Sequence, residues 1–237
     1  MLSVHELSDN AVLLIERDRA KHDDALLTIV DKIWREAQRK NSRLFDGSIL
    51  SCISDSSNKI TSVIDNYKFF FSKKSHPGLL EKIQIMPIAV SGILECKDGF
   101  VFGKRAKFTT QDAELWELVP SGGLDASITN NLNIYDFKQQ LLTELYEEMG
   151  INPDMLRTIT PFCYVIDHEA SVLDIGVYMY SDASQDTINH CFTTVRSFEY
   201  ESIIFIPRSI IIDFIAMERQ NISSISVAIM EFFLKKR

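Results

Sequence analysis

The segment from Asp136 to Ile151 constrains this chain more than any other. Leu141, Leu142, Leu145 and Met149 recur at helical spacing, Asp136 and Gln139 stand where an N-terminal cap would, and Gly150 supplies a stop. The spacing predicts a helix that runs to Met149. At about 100° per residue, Glu144, Glu147 and Glu148 share roughly a third of its circumference, beside the apolar stripe. A helix that buries this stripe must hold three carboxylates at the margin of the core. Anions about 6 Å apart repel by roughly 3 kcal/mol per pair at an effective dielectric near 20, a cost that a divalent cation reverses. Hard Mg²⁺ prefers such oxygens and keeps positions open for water and phosphate. The competing explanation is a merely solvated acidic helix face.

Strand and helix signals flank this segment on both sides. Residues 11 to 16 (AVLLIE) predict a buried strand, and Leu26, Val30, Ile33, Trp34 and Ala37 predict an amphipathic helix from Asp24 to about Asn41. A turn, a strand at Ile49 to Ile53, a Ser/Asn-rich turn and an apolar run from Ile60 to Phe71 follow, closed by KKSHPG. From residue 84 the texture changes. Residues 85 to 95 and 100 to 105 flank Lys97-Asp98-Gly99 and predict a hairpin. Trp116 to Val119 predicts a short strand before Pro120-Ser121-Gly122-Gly123, and strands are expected at 160 to 167 and 172 to 180, joined by HEAS. A loop at 182 to 196, a strand at 200 to 206 and helices near 208 to 218 and 223 to 235 complete the order. The expected class is α/β (α+β), with an N-terminal α/β module at 1–83 and a larger domain at 84–237.

Charge divides along the same boundary. Of 33 acidic and 25 basic residues, the first 83 positions hold 12 and 13, which leaves 21 and 12 for the rest and a net −9 there. Such an imbalance repels a nucleic-acid backbone, so no nucleic-acid partner is expected. Cys52, Cys96, Cys163 and Cys191 lie far apart without a CxxC pair, which excludes zinc-ribbon and thioredoxin-like chemistry and suggests free thiols. The start, MLSVHELSDN, lacks signal-peptide character, and the apolar region Ile203 to Met217 is broken by Pro207, Arg208 and Asp213. No membrane partner is expected, and the default location is cytoplasmic.

The order Glu144, Leu145, Glu147, Glu148, Gly150, Ile151 resembles the C-terminal half of the signature of the Nudix hydrolases, and Pro120, Gly122, Gly123 and Asp125 resemble the turn that precedes it. The resemblance covers about residues 84 to 237 and implies a Nudix-fold α/β/α sandwich with a mixed sheet. It departs from the signature in three places. Gly122 to Thr143 spans 21 positions where the family has 14, with the extra residues expected in ASITNNLNI; Tyr135 stands for the first signature Glu, and Thr143 for the Arg. In the family that Glu and Arg pair to brace loop against helix, so losing both is more coherent than leaving one buried charge unpaired.

By resemblance the implied activity is metal-dependent hydrolysis of the diphosphate of a nucleoside diphosphate conjugate, with Glu144, Glu147 and Glu148 holding Mg²⁺ or Mn²⁺ and acting in catalysis. A further carboxylate from a distal loop often joins them. Glu199 and Glu201 are the first candidates, ahead of Glu169. Lys104 and Arg105 are candidates for substrate phosphate, together with the turn residues Gly122 and Gly123. Phe108, Trp116, Phe162 and Tyr164 could stack a base or simply fill the core, and His168 could bind metal or cap a hairpin tip. Ser121 does not sit in a GxSxG elbow. The N-terminal series AVLLIE, Asp31-Lys32-Ile33-Trp34 and Leu44-Phe45-Asp46-Gly47 resembles the module of Nudix enzymes that hydrolyse UDP-glucose and UDP-galactose. The expected partner is therefore a small-molecule nucleoside diphosphate conjugate, most simply a UDP-sugar, with ADP-ribose-like substrates and a catalytically degenerate binding module as alternatives. A homodimer is compatible with this family.

Overall fold

The computed structural model describes residues 1–42, 44–79, 81–109, 112–126 and 133–236. Strand β1 (Leu2–Glu6) and strand β2 (Val12–Arg19) lead into α1 (Asp24–Lys40), whose Asp23 caps it by accepting a hydrogen bond from the Leu26 amide. Strands β3 (Ser48–Asp55) and β4 (Lys59–Asn66) then precede α2 (Tyr67–Ser75). Next come the hairpin strands β5 (Ile88–Cys96) and β6 (Gly99–Arg105), the short β7 (Trp116–Leu118) and β8 (Ser121–Gly123), β9 (Ile134–Tyr135) and α3 (Phe137–Met149). The chain closes with β10 (Leu156–Asp167), β11 (Val172–Ser181), α4 (Gln185–Val195), β12 (Tyr200–Ile206), α5 (Ile211–Glu218) and α6 (Ser224–Lys236). Among the described residues no helix is long and apolar enough to cross a membrane.

The fold is mixed α/β and contains two sheets. The larger runs β1-β10-β11-β5-β6-β12, with β7 added to β6 and β8 to β5. It is antiparallel except where β11 meets β5. On one face Leu141, Leu145 and Met149 of α3 and Ile188 and Phe192 of α4 pack against Val90, Ile175 and Val177. On the other, Ile211, Ile215, Ile229 and Phe233 of α5 and α6 pack against Ile93, Phe102 and Val165. Burying both faces explains the long apolar runs in β5, β6 and β11.

The hairpin expected around Lys97 to Gly99 forms, but β5 and β6 pair only at Glu95↔Phe100 and Cys96↔Gly99 before diverging. Strand β8 continues the sheet beside β5 and β7 beside β6. This splay opens the sheet between them.

The smaller sheet runs β3-β4-β2-β9. It ties the first 83 residues to the rest in both directions. Strand β1 crosses into the larger sheet as the neighbour of β10, while β9, from the later part, pairs with β2 at Leu13↔Tyr135 and Leu14↔Ile134. Leu13, Leu50 and Ile60 share one core with Val90, Leu141 and Leu145. A separate cluster of Leu26, Val30, Phe69, Phe70, Ile83 and Ile85 joins α1 to α2.

One sequence expectation is corrected here. The loop assigned to 182–196 contains α4, capped by Ser184 accepting from the Thr187 amide, with Ile188 and Phe192 as its buried face. Its polar composition hides a helix that needs only two apolar anchors. The apolar run from Ile60 to Phe71 is two elements, β4 and α2. Most of the ASITNNLNI insertion, residues 127–132, lies outside the described residues. All four cysteines are free.

Leu13 is fully buried between β4, β9 and the shared core. Leu13→Ala is expected to cost about 3 kcal/mol, which a thermal melt would register as a fall in Tm of roughly 6–12 °C. Deletion of residues 1–83 should abolish the cooperative transition altogether, because β10 loses its β1 neighbour, β9 loses β2, and the shared core loses Leu13, Leu50 and Ile60.

Candidate active site

Helix α3 crosses the backbone of β8 at one edge of the opened sheet. The approach is close because Gly122 has no side chain: a Cβ there would stand 2.5 Å from Glu144 Oε1. The helix ends at Gly150 in the left-handed conformation, φ 65°, where a Cβ would lie 2.6 Å from the Cys191 carbonyl oxygen of α4. These two glycines fix the height and the end of the carboxylate-bearing helix.

The three glutamates of α3 face different surroundings. Glu148 is buried, its Oε2 accepting from the Ser121 amide at 3.1 Å, while its Oε1 has no hydrogen-bond partner among the described residues. Glu144 is half-buried and accepts from Gln140 Nε2 at 2.6 Å. Glu147 is exposed. Burial pushes the Glu144 carboxyl up to about 7, with Glu147 and Glu199 adding to the rise and Gln140 opposing it. Burial likewise raises Glu148 well above the ordinary range, reinforced by Glu199 and Glu144.

Of the two distal candidates, the structure brings Glu199 to the site and leaves Glu201 outside it. Glu199 lines the same cavity as Glu144 and lies 3.8 Å from Arg105 Nη1, whereas Glu201 turns to the Lys107 amide at 3.4 Å. The neighbouring cations separate in the same way. Arg105 lines the cavity, with Nη1 2.5 Å from Glu117 Oε1; Lys104 sits 5.1 Å over the Trp116 ring and does not line it. Adjacent residues of a strand point to opposite faces, so only one of the pair can serve the site. Gly122 and Gly123 both line the cavity.

The aromatic and histidine alternatives lie elsewhere. Phe108 is exposed, Phe162 stacks in the α6 core, Tyr164 donates to Asp55 at 2.7 Å, and His168 bonds to Ser3.

Glu117 has no distinguishing sequence signal, yet it is the hub of the site. It is buried and accepts from Arg105, from Tyr200 at 2.6 Å and from the Ser121 hydroxyl at 3.2 Å. Burial raises its carboxyl despite these donors.

Tyr135, which stands at one of the departures from the signature, belongs to a neutral chain of contacts. Tyr135 donates to the Asp125 carbonyl oxygen at 2.8 Å and stands 3.4 Å from Gln140 Oε1, while Gln140 holds Glu144. Thr143 bonds back to Gln139 within its own helix and takes no part.

The donor chemistry fits a hard divalent cation: Glu148 Oε1 is a buried, unpaired carboxylate oxygen, and Glu144 and Glu199 are near enough to raise its proton affinity. The three helix glutamates are not gathered around one point, because Glu144 and Glu148 turn to hydrogen-bond donors while Glu147 faces outward. Among the described residues no group of three or more His, Cys, Asp or Glu side chains stands ready to hold a metal ion.

The cavity containing these groups has a volume of about 650 Å³. It extends from Glu144 and Glu199 past Arg105 and Ser121 to Asp174, the start of α6, and Tyr67 and Phe70 of α2. This volume lies in the range of small-molecule sites.

No family model and no curated protein matches the sequence. Solved structures do. The MutT protein from Methanosarcina mazei is 17% identical, covering 64% of this chain and 94% of its own, with a TM-score of 0.42. A NUDIX hydrolase from Nitrosomonas europaea is 14% identical over 65% of this chain and 73% of its own, TM-score 0.45. A bifunctional NMN adenylyltransferase/ADP ribose pyrophosphatase from Francisella tularensis is 13% identical over 92% and 77%, TM-score 0.46.

Burial has a consequence for stability. The folded Glu144 carboxyl titrates near 7 rather than 4.5, so its contribution to stability is full below about pH 4.5 and is lost as pH rises through about 7. With chelator present, Glu144→Gln should therefore raise Tm at pH 8 by roughly 2–6 °C, because the amide oxygen still accepts from Gln140 Nε2 without a half-buried charge. The gain should shrink at pH 5. A variant that melts at or below wild type at pH 8 would show that Glu144 is not strained by burial.

Proposed function

We propose that this protein hydrolyses the diphosphate linkage of a nucleoside diphosphate conjugate in a metal-dependent reaction, and that a nucleoside diphosphate sugar such as UDP-glucose is its substrate. The observation that carries the proposal is that one cavity brings Glu144 and Glu199 together with Arg105, while the buried Glu148 oxygen without a hydrogen-bond partner among the described residues lies one helical turn from Glu144. A diphosphate needs positive charge around it, and the cavity supplies Arg105 on one side and carboxylates suited to Mg²⁺ or Mn²⁺ on the other. Glu144, Glu147 and Glu148 would hold the ion, with Glu199 as a further oxygen. When bound, it supplies charge neutralisation and a more acidic water.

The chain's own groups do the rest. Arg105, held by Glu117, directs its guanidinium toward the cavity and binds non-bridging phosphate oxygens. Gly122 and Gly123 leave the β8 backbone bare where the phosphates pass. Water adds to one phosphorus as its bond to the bridging oxygen breaks, and Glu199 accepts the proton that the water releases. The products are two phosphate monoesters, UMP and glucose 1-phosphate from UDP-glucose.

The choice of a UDP-sugar rests on the resemblance of residues 11–47 to the module of enzymes with that activity. ADP-ribose-like conjugates are the alternative substrates for the same chemistry. A second reading, a binding module that has lost hydrolysis, draws on the outward-facing Glu147 and the missing signature Arg and Glu.

A panel of nucleoside diphosphate conjugates with Mg²⁺ or Mn²⁺, read by phosphatase-coupled phosphate release, separates these readings. The expected result is turnover of UDP-glucose that falls by about 10²-fold in Glu147→Gln and Glu148→Gln. Turnover of ADP-ribose alone would move the substrate class. No turnover across the panel, or turnover indifferent to both variants, would leave the binding module.

A further inference from the structure

The cavity continues beyond the carboxylates to a second polar region that hydrolysis does not use. It lies on the α6 side of the sheet, where β5 and β6 splay apart. Its centre is Asp174, on β11 beside Ala89 of β5. Asp174 is almost completely enclosed; its Oδ2 accepts from the Ser91 hydroxyl at 3.0 Å, and its Oδ1 has no hydrogen-bond partner among the described residues. Asp174 lines the cavity, and a buried carboxylate oxygen left bare there is costly, a cost that a donor reaching it from the cavity would offset.

Ser223 to Ser226 line the same cavity and supply donors. Segment 222–226 runs along β7, with the Ser223 amide bonded to the Trp116 carbonyl and the Leu118 amide bonded to Ser226 Oγ. Because Ser226 Oγ already accepts, its own hydrogen is free to donate. Helix α6, 13 residues long, begins there, and the amides of a first helical turn have no partner within the helix. They lend partial positive charge to the same space.

This combination discriminates between ligand classes. A phosphate would suit the helix start but meet the Asp174 carboxylate. A cation would suit Asp174 but meet the helix start. A neutral group with an N–H donor next to a carbonyl acceptor satisfies both, and the six-membered ring of uracil or guanine presents that pair, whereas cytosine and adenine carry a bare ring nitrogen at the corresponding position.

We infer that this end of the cavity is a nucleobase pocket in which Asp174 Oδ1 accepts a ring N–H while the start of α6 donates to the adjacent carbonyl. The inference rests on the proposed nucleotide chemistry for its ligand, and it names a specificity-determining residue that the Nudix signature does not contain. Sites built to bond a particular N–H reject analogues that lack it, because the buried acceptor is then left bare.

Calorimetric titration of the full chain with nucleoside monophosphates tests this without turnover. At pH 8 and with Mg²⁺, above the value of about 7 to which burial raises Asp174, UMP or GMP should bind at least 10-fold more tightly than CMP, AMP and ribose 5-phosphate. N3-methyl-UMP and N1-methyl-GMP should lose that advantage, and UMP against GMP decides which ring is the ligand. Asp174→Asn, nearly isosteric, should reduce the preference for the N–H bases to under 3-fold or invert it. Equal binding of methylated and unmethylated bases by wild type would overturn the pocket, as would an unchanged preference in Asp174→Asn. The methylated probes need only the wild type, so a variant that fails to fold does not rescue the idea. Base-selective binding without hydrolysis of any conjugate would sink the hydrolase proposal alone. Hydrolysis without base selectivity would sink the pocket alone.

Discussion

The carboxylate of Glu148 is enclosed where α3 crosses β8, with one oxygen fixed by the Ser121 amide and the other bare. Much of the architecture around it can be understood as what is needed to keep a carboxyl group there although burial disfavours its charged form. Gly122 lets the helix come close enough for the bond to form, and Gly150 ends the helix against α4 before it can drift. Ser121, in turn, is held by Glu117, so the donor that satisfies one acid is positioned by another. A buried charge is tolerated only when its surroundings cannot relax away from it, and a crossing fixed by two glycines and two hydrogen-bonded layers meets that condition.

The same logic explains the interlocked sheets. Gln140 orients Glu144, Tyr135 adjoins Gln140, and Tyr135 lies on β9, which pairs with β2 of the smaller sheet. The first 83 residues are thus mechanically continuous with the carboxylates, through a two-residue strand. The link is made of neutral hydrogen bonds and a neighbouring sheet. A neutral brace avoids burying an ion pair beside the α3 glutamates, but it needs a second layer to hold Tyr135 in place.

How much of this was legible in the sequence depended on whether the signal was local. The helix over 137–149, its Asp136 cap, its Gly150 stop and the hairpin at 97–99 were readable because each is specified by neighbouring residues. Helix α4 was not, since two anchors among polar residues give little periodicity. At the site, the α3 carboxylates were readable from spacing alone, yet their differing exposure was not, because Glu147 and Glu148 differ only in what β8 covers. Glu117, Gln140 and Asp174 had no signal. Each derives its significance from a partner distant in sequence: Glu117 from Arg105 and Tyr200, Asp174 from Ser91, and Gln140 from the sheet that holds Tyr135.

The alternation of β6 shows how a pairwise ambiguity becomes a structural fact. Lys104 and Arg105 are indistinguishable as phosphate ligands by charge. Once β7 pairs with β6, one must face the Trp116 ring and the other the opened sheet. The guanidinium suits the inner place, because its planar fork of donors meets Glu117 and lines the cavity at once. The position of the arginine therefore follows from the buried acid behind it, and that acid from the Tyr200 and Ser121 hydroxyls that allow it to stay buried.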